Sequence, residues 1–164
     1  MTSDVGVEAI AVITGSFLSG AMMSVYLLAV PSLFETTTDP SQLVRHWSRI
    51  FLNGHIKGPI ICLTTTALYG LAAVRKYAAG ERWGVFAAAG LTTIAMVPFT
   101  LTIMAPTNNA LFRLEGEVKK GGAPVWGEAE RLVQRWNRFN ASRAFFPLVG
   151  AILGMLGVLK VVSF

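Results

Sequence analysis

The sequence predicts an all-α integral membrane protein, a four-helix bundle whose transmembrane helices are joined by amphipathic helical connections. A helix needs about 20 apolar residues to cross a hydrocarbon core about 30 Å thick. Asp, Glu, Lys and Arg are absent from four stretches that approach or exceed this length: 9–34, 58–74, 83–112 and 144–159. The hydrophobic fraction of 53% and mean hydropathy of +0.55 exceed the usual range for a soluble protein. Proline and glycine also punctuate the segments between the uncharged stretches.

The 164 residues are expected to form a single domain, 1–164. A soluble all-α protein is the alternative, but uncharged runs of this length are hard to bury in a small core. Acidic residues precede the first run, so we expect it to remain as a helix and not to be removed as a signal peptide. The predicted spans are about 8–33, 57–75, 83–105 and 144–163.

Small residues recur at four-residue spacing in the first and last predicted helices. Gly15 and Ser19 lie in the first, and Gly150 and Gly154 lie in the last. In lipid, small side chains let two helix backbones approach closely. We therefore expect all four residues at helix–helix contacts, within one chain in preference to across a homo-oligomer.

Proline and glycine define the connection between the first two spans. Pro31 is near the end of the first helix, and Asn53-Gly54 is a candidate end for a short amphipathic helix, 41–53. Pro59 then falls in the first turn of the second span, where proline is tolerated.

The second half of the chain contains a short hairpin and a longer connection. Residues 76–82 should join the second and third spans as an antiparallel pair. Pro98 is expected to kink the third helix, and Pro106 to end or bend it. A glycine-containing loop at 119–124 should precede a helix over 127–143 that runs on into the last span.

Charge is distributed unevenly between the connections. The net charge is +5, and most of the basic residues lie in the two long connections. The positive-inside rule then places these connections in the cytoplasm and both termini outside or in a lumen. The basic residues are interspersed with glutamates on membrane-adjacent helices, which argues against a nucleic-acid partner.

Trp136, Asn140 and Arg143 form a polar stripe where the last helix enters the membrane. Their i, i+4, i+7 spacing places them within about 60° on one helix face. An aromatic ring, an amide and a guanidinium together can bind a flat, oxygenated ring by stacking and hydrogen bonding. The alternative is an interfacial belt, since tryptophan and arginine are common at the headgroup level.

Asn108 and Asn109 follow the third uncharged stretch. A buried asparagine must be hydrogen-bonded, or it costs about 1–3 kcal/mol. One of the pair could cap a helix after Pro106 while the other serves a site. We predict that one of them meets the Trp136/Asn140/Arg143 face in a pocket at the cytoplasmic membrane boundary.

His46 and His55 are the two imidazoles of the chain. Histidine is the side chain that exchanges protons near neutral pH, although both residues could equally be solvated. On one continuous helix they would lie on opposite faces, and no cysteine cluster or carboxylate stands beside them at ligand spacing. No metal site is therefore predicted, but Gly54 could reorient His55, which leaves a metal shared by the two histidines open. The lone Cys62 is assigned to packing.

Several of these residues carry a resemblance to a known family. Pro106-Thr-Asn-Asn-Ala-Leu111, Trp136-xxx-Asn140-xx-Arg143, Pro31 and Gly54-xxxx-Pro59 together resemble the DUF1772 family. The chain is most similar to its fungal branch, the anthrone oxygenases of aromatic polyketide pathways. The resemblance covers nearly the whole chain.

The resemblance implies a reaction in which an anthrone and O2 give an anthraquinone and water. It requires no cofactor besides O2 as co-substrate, because an anthrone enolate is electron-rich enough to reduce O2 directly. The implied partners are a planar aromatic polyketide and the lipid bilayer of the endoplasmic reticulum or another endomembrane. The alternative is a non-catalytic membrane module that binds or passes a lipophilic molecule.

The resemblance also suggests roles for the candidate residues. Arg143 would stabilise the anion, and His55 or His46 would take the proton. His55 is preferred because the Gly54/Pro59 turn could direct it towards the bundle. Substrate binding would fall to the aromatic and amide side chains: Asn108, Asn109, Trp136 and Asn140.

Overall fold

The computed structural model of the chain describes residues 5–162, and no β-strand occurs in that range. Four helical stretches are long and apolar enough to cross a membrane, judged by length and composition. They are Gly6–Thr36, Pro40–Ala78, Gly84–Lys119 and Trp126–Val158. The predicted all-α class with four candidate spans is confirmed.

Two of these stretches change helix type along their length. Each contains a five-residue π-helical segment, named π1 and π2 here. The elements in chain order are α1 Val5–Ser24, π1 Val25–Ala29, α2 Val30–Thr36, α3 Pro40–Ala78, α4 Gly84–Ile94, α5 Met96–Phe99, π2 Thr100–Met104, α6 Ala105–Lys119 and α7 Trp126–Val158.

The predicted break after 41–53 is wrong, because α3 continues through Asn53-Gly54. The Asn53 amide does not end the helix; its Nδ2 donates to the carbonyl of Arg49, 2.9 Å away and one turn back. Pro59 therefore lies inside a helix and not in a first turn. Proline is tolerated within membrane helices because local adjustments re-satisfy the backbone groups it frees.

The third span also continues past its predicted end at 105, as far as Lys119. Pro106 falls in the first turn of α6, which follows π2 without a break. The helical path bends at Ala95 and then widens into π2, between Pro98 and Pro106. The prolines thus change the helix type without ending the helical path.

The predicted segments 127–143 and 144–163 form one helix, α7, which ends at Val158 and not at 163. Lys160 takes a left-handed conformation with φ 56°. Its N–H donates to the Gly157 carbonyl, and the N–H of Val161 donates to the Leu156 carbonyl at 3.0 Å. This pattern closes a helix C-terminus. Residue 163 lies outside the described range.

The chain divides into two compact units. The first unit comprises described residues 5–20, 58–97 and 144–162, and the second comprises 21–57 and 98–143. Small and medium side chains dominate the core of the first unit, which includes Ala11, Ala72, Ala89 and Tyr69. The core of the second unit is built around Trp47 and Trp136.

Close helix packing in the first unit confirms the role predicted for the small residues. A Cβ on Gly150 would collide with Thr93 Oγ1, and a Cβ on Gly154 would lie 2.6 Å from the Tyr69 ring. Gly15 also lies at a helix contact, where a built Cβ would be at ordinary contact distance, 3.4 Å, from the Pro147 carbonyl. Ser19 Oγ donates to the Ala144 carbonyl at 2.9 Å. All of these contacts lie within one chain.

Large apolar side chains remain exposed on the helices that could cross a membrane. Such a surface is a liability in water but is the normal solvent-facing surface of a protein in lipid. Side chains more than half exposed include Ile13, Phe17, Leu27, Leu28, Leu91 and Leu101.

Replacing Gly150 by Ala is expected to destabilise the first unit by about 1–3 kcal/mol, because overpacking would displace Thr93, whose hydroxyl is bonded to the Ala89 carbonyl. The matched control is Gly70→Ala in α3, where an added Cβ would meet nothing within 4 Å. This control should be neutral or stabilising by up to about 1 kcal/mol. Thermal unfolding in detergent measures both, and an unchanged midpoint for Gly150→Ala would contradict the packing described.

Candidate active site

The second unit concentrates buried polar atoms that have no hydrogen-bond partner. Within the described residues, ten side-chain N or O atoms are buried in this way, and eight of the ten belong to the second unit. Each such group costs about 1–3 kcal/mol if nothing satisfies it. Their concentration makes this unit the candidate binding site for an oxygen-bearing ligand. The eight residues are Thr37, His46, Trp47, Thr107, Asn108, Trp136, Asn137 and Arg143.

Arg143 is held by neutral groups. One terminal nitrogen donates to Asn140 Oδ1 at 2.9 Å, and the other donates to Thr100 Oγ1 at 3.3 Å. Its Nε is buried and has no partner. Among residues 5–162, no carboxylate lies within ion-pair distance of this guanidinium. Neutral partners therefore hold the guanidinium in position, and its Nε–H has no partner.

Asn140 determines how Arg143 is held. Asn140 is 2% exposed, and its Nδ2 donates to the Met22 carbonyl at 2.9 Å. Because the amide nitrogen is committed to that carbonyl, the amide oxygen is directed to the guanidinium. A backbone atom near the end of α1 thus orients the arginine through one amide side chain.

Asn137 makes the corresponding bond one turn earlier, and sequence reasoning missed it. Its Nδ2 donates to the Tyr26 carbonyl at 3.3 Å. In a regular α-helix that carbonyl would accept the N–H of Val30, but in π1 the Val30 N–H bonds to Val25. The next residue, Pro31, has no N–H to offer. Two sequence features could have indicated this role for Asn137. They are Pro31, which lacks an N–H, and the i, i+3 spacing of Asn137 and Asn140.

The two asparagines after Pro106 have different environments. Asn108 is 9% exposed and its Oδ1 lacks a partner, whereas Asn109 is exposed. Neither caps α6, because the capping residue is Met104 and no side-chain cap bond forms. The buried hydroxyl of Thr107 also lacks a partner, which no sequence pattern indicated.

Trp136 lies in the aromatic core of the second unit. It is 3% exposed and meets Trp47 edge to face, with ring centroids 6.0 Å apart and planes at 89°. Trp47 also contacts Phe51 and Phe112. Both indole N–H groups are buried without a partner. The two tryptophans therefore present donors as well as ring surface within one cluster.

The structure separates the two histidines. Since α3 is continuous, residues 46 and 55 point to opposite sides of it. His46 is half-buried with Nδ1 unpartnered, whereas His55 is exposed and stacks on Phe51 at 5.6 Å. The expectation that a turn at Gly54 directs His55 inward is wrong, because no such turn exists. In residues 5–162, no group of three or more His, Cys, Asp or Glu side chains could hold a metal ion.

Replacing Asn137 by Leu should destabilise the protein by about 1–3 kcal/mol, because the Tyr26 carbonyl would be left without a donor. Ser142→Ala on the same helix is the control, since that exposed hydroxyl bonds only to the Arg138 carbonyl. Pro31→Ala restores a backbone N–H near the Tyr26 carbonyl. In the double variant, it should reduce the loss of stability caused by Asn137→Leu. A double-mutant cycle on thermal stability measures this coupling. Full additivity of the two changes would contradict the coupling through π1.

Comparison with known proteins identifies the family. Residues 47–153 match the family model described as anthrone oxygenase. A monooxygenase from Dothistroma septosporum, hypC, is 52% identical over 162 residues, which covers 99% of this chain and 88% of that protein. A noranthrone monooxygenase from Aspergillus flavus is 52% identical over 99% of this chain and 78% of its own length.

A third relative extends the match to a protein of similar length. The anthrone oxygenase AgnL2 of Paecilomyces divaricatus is 46% identical over 94% of this chain and 96% of its own. No solved structure matches the chain. Both the family model and the near full-length relatives lead to one conclusion: the chain belongs to the anthrone oxygenase family.

Proposed function

We propose that this chain is a membrane-bound oxygenase that converts an anthrone to an anthraquinone with O2, in a pocket of the second unit. The relatives named for this activity support the reaction class. The observation that carries the site assignment is Arg143, a fixed guanidinium with no carboxylate partner among the described residues. An anionic intermediate supplies the missing negative charge.

The reaction balances without an added reductant. A base removes one proton from the central CH2 of the anthrone, which gives an aromatic enolate. The enolate carbon passes its electrons to O2 and forms a C–O bond, and protonation gives a hydroperoxide. Loss of the second C–H proton with cleavage of the O–O bond leaves a carbonyl group and releases water. Overall, CH2 and O2 become C=O and H2O.

Arg143 is assigned to the enolate oxygen. Two of its five N–H groups are bonded to Thr100 and Asn140, and Nε is the guanidinium nitrogen with no partner, so we assign the Nε–H to the substrate oxygen. The charge develops on the substrate oxygen as the proton leaves, so a donor fixed in advance stabilises the transition state more than the neutral anthrone.

The other unpartnered groups are assigned to the substrate's ring oxygens. Asn108 Oδ1 can accept a hydrogen bond from a phenol, and the Thr107 hydroxyl and the Trp136 indole N–H can donate to phenol or carbonyl oxygens. Asn109 is exposed and is given no part in this arrangement. Asn140 acts through Arg143 and is therefore a positioning residue.

His46 is the proposed base. Its Nδ1 is buried and unpartnered in the second unit, whereas His55 is exposed and stacked on Phe51. A buried ring nitrogen without a partner suits a group that must accept a proton from an apolar substrate. This assignment reverses the preference drawn from the sequence.

The cellular setting follows from the chemistry of the substrate. A planar polyketide partitions into lipid, so we propose the endoplasmic reticulum or another endomembrane of a fungus as the site of action. The four apolar helical stretches would hold the pocket at the bilayer.

Arg143→Gln should lower turnover of an anthrone by about 10²–10³, the effect of removing one preorganised oxyanion donor. O2 uptake and quinone formation measure it in purified, detergent-solubilised protein. Arg138→Gln is the matched control, since it removes an exposed positive charge from the same helix. Equal activity in the two variants would exclude the role of Arg143.

Binding of the anthrone by wild-type protein without any O2 uptake would instead favour a non-catalytic binding module.

His46→Gln should lower the rate by about 10²–10⁴, as expected when a general base is lost, and His55→Gln should leave it within a few-fold of wild type. An anthrone deuterated at the reacting CH2 should show a primary isotope effect if proton removal limits the rate. If His55→Gln slows anthrone oxidation and His46→Gln does not, His55 is the general base instead. If neither change reduces the rate tenfold, another group or solvent removes the proton.

A further inference from the structure

The atoms assigned to the substrate are all buried, so the proposed site of the second unit is closed in this structure. Arg143 Nε, Trp136 Nε1 and Asn108 Oδ1 have essentially no exposed surface. A planar molecule of the size of an anthrone reaches them only after side chains or helices move. Part of the wall must therefore open, and the contacts around Arg143 indicate which part.

Two phenylalanines meet beside the groups that hold Arg143. Phe99 directly precedes Thr100, and Phe139 directly precedes Asn140. The two rings are edge to face, with centroids 6.4 Å apart. Phe139 is also four residues before Arg143 on α7, so these two side chains are neighbours on one helix surface. Phe139, with Phe99 against it, therefore lies beside the guanidinium that would bind the enolate.

Neither phenylalanine ring is fully enclosed. Phe99 and Phe139 are both half-buried, and Arg135, one turn further out on α7, is exposed. The guanidinium carbon of Arg135 lies 5.5 Å from the centre of the Phe139 ring. A cation–π contact at an exposed site is weak, so it holds the ring in place without preventing its movement. The pair thus extends from the surface to the neighbourhood of Arg143.

Phe99 belongs to an irregular helical segment. Pro98 directly precedes it, and π2 begins at the residue that follows it. Proline interrupts the helical hydrogen-bond ladder, and π-helical turns are frequent at functional sites. On π2, Leu101 is 70% exposed and Ile103 is 48% exposed. In lipid this apolar surface would face acyl chains, from which a planar lipophilic molecule can approach the two rings.

We propose that Phe99 and Phe139 form the entrance through which an anthrone passes from the bilayer to Arg143, a role that rests on the proposed oxygenation. Movement of the Phe99 ring with the start of π2 opens the entrance, and Arg135 holds the Phe139 ring in the closed position. An anthrone with a bulky substituent requires a wider opening than an unsubstituted one. The two rings therefore determine which anthrones enter readily.

The test measures exchange of a product-like probe and does not depend on turnover. A dihydroxyanthraquinone that quenches tryptophan fluorescence is mixed with the full chain in detergent, and stopped-flow traces give its association and dissociation rate constants. Arg135→Gln leaves the buried side chains intact and should raise both constants about two- to fivefold, because an exposed cation–π contact is lost. The dissociation constant should stay within about twofold of wild type, because an entrance changes the barrier and not the bound state.

Phe139→Ala should raise both rate constants about tenfold, because the ring and its edge-to-face contact are removed. The controls are Arg131→Gln, which removes an exposed positive charge one turn from Arg135, and Phe145→Ala, which removes an exposed phenylalanine from the same helix. Both controls should exchange the probe at the wild-type rate. Thermal midpoints establish that each variant is folded, and Arg135→Gln tests the proposal alone if Phe139→Ala is not.

Turnover of two anthrones gives a second readout. Phe139→Ala should raise kcat/KM for an alkyl-substituted anthrone about tenfold relative to the unsubstituted one. Wild-type exchange rates in both Arg135→Gln and Phe139→Ala would overturn the proposal. Weaker probe affinity with an unchanged association rate would also overturn it and make Phe139 a wall of the bound site, and so would the absence of probe binding to wild-type protein. The expected exchange rates without O2 uptake would support the entrance and reject the oxygenase.

Discussion

Hydrocarbon offers no hydrogen-bond partners, so every backbone N–H and C=O of a membrane-spanning segment must be satisfied within the protein. Proline has no N–H and therefore leaves one carbonyl in the preceding turn without a backbone donor. In the second unit, side chains of the candidate site supply the missing hydrogen bonds. Pro31 and π1 leave the Tyr26 carbonyl without a helical donor, and Asn137 supplies one. Asn140 serves the Met22 carbonyl in the same way and then holds Arg143. The position of the catalytic candidate thus depends on backbone hydrogen bonding in another helix.

The helices of the two units pack in different ways. In the first unit, Gly150 and Gly154 allow close contact with Thr93 and Tyr69, so small residues fix the helices by backbone approach. In the second unit, Trp47 and Trp136 fill the core with aromatic rings whose N–H groups remain unpartnered. Close glycine packing leaves little room for a ligand, whereas an aromatic core with unpartnered donors is suited to a flat, oxygenated molecule.

Arg143 also has a physical reason to be kept in place in the absence of a ligand. A guanidinium at the edge of hydrocarbon is costly unless it is hydrogen-bonded or reaches water. The Asn140 amide and the Thr100 hydroxyl satisfy part of that requirement without neutralising the charge. A carboxylate in their place would stabilise the resting arginine more strongly but would compete with an anionic intermediate. Neutral partners thus leave the charge available for an enolate.

The sequence by itself determined the features that depend on local pattern. Uncharged length predicted four spans, and four-residue spacing predicted the glycine contacts. The position of Arg143 next to an uncharged run marked it as costly and therefore as a candidate site residue. The sequence also supplied the family, through spaced motifs that span most of the chain. Helix ends were less predictable, because proline and glycine within membrane helices need not end the helix, as Pro59 shows inside α3.

Only the tertiary structure decided which members of each candidate pair are buried. His46 and not His55, and Asn108 and not Asn109, have buried polar atoms without partners. Asn137 gained its role from a carbonyl 111 residues away along the chain. No local pattern specifies which distant carbonyl loses its donor or which helix face meets it, because both depend on how segments far apart in sequence pack together.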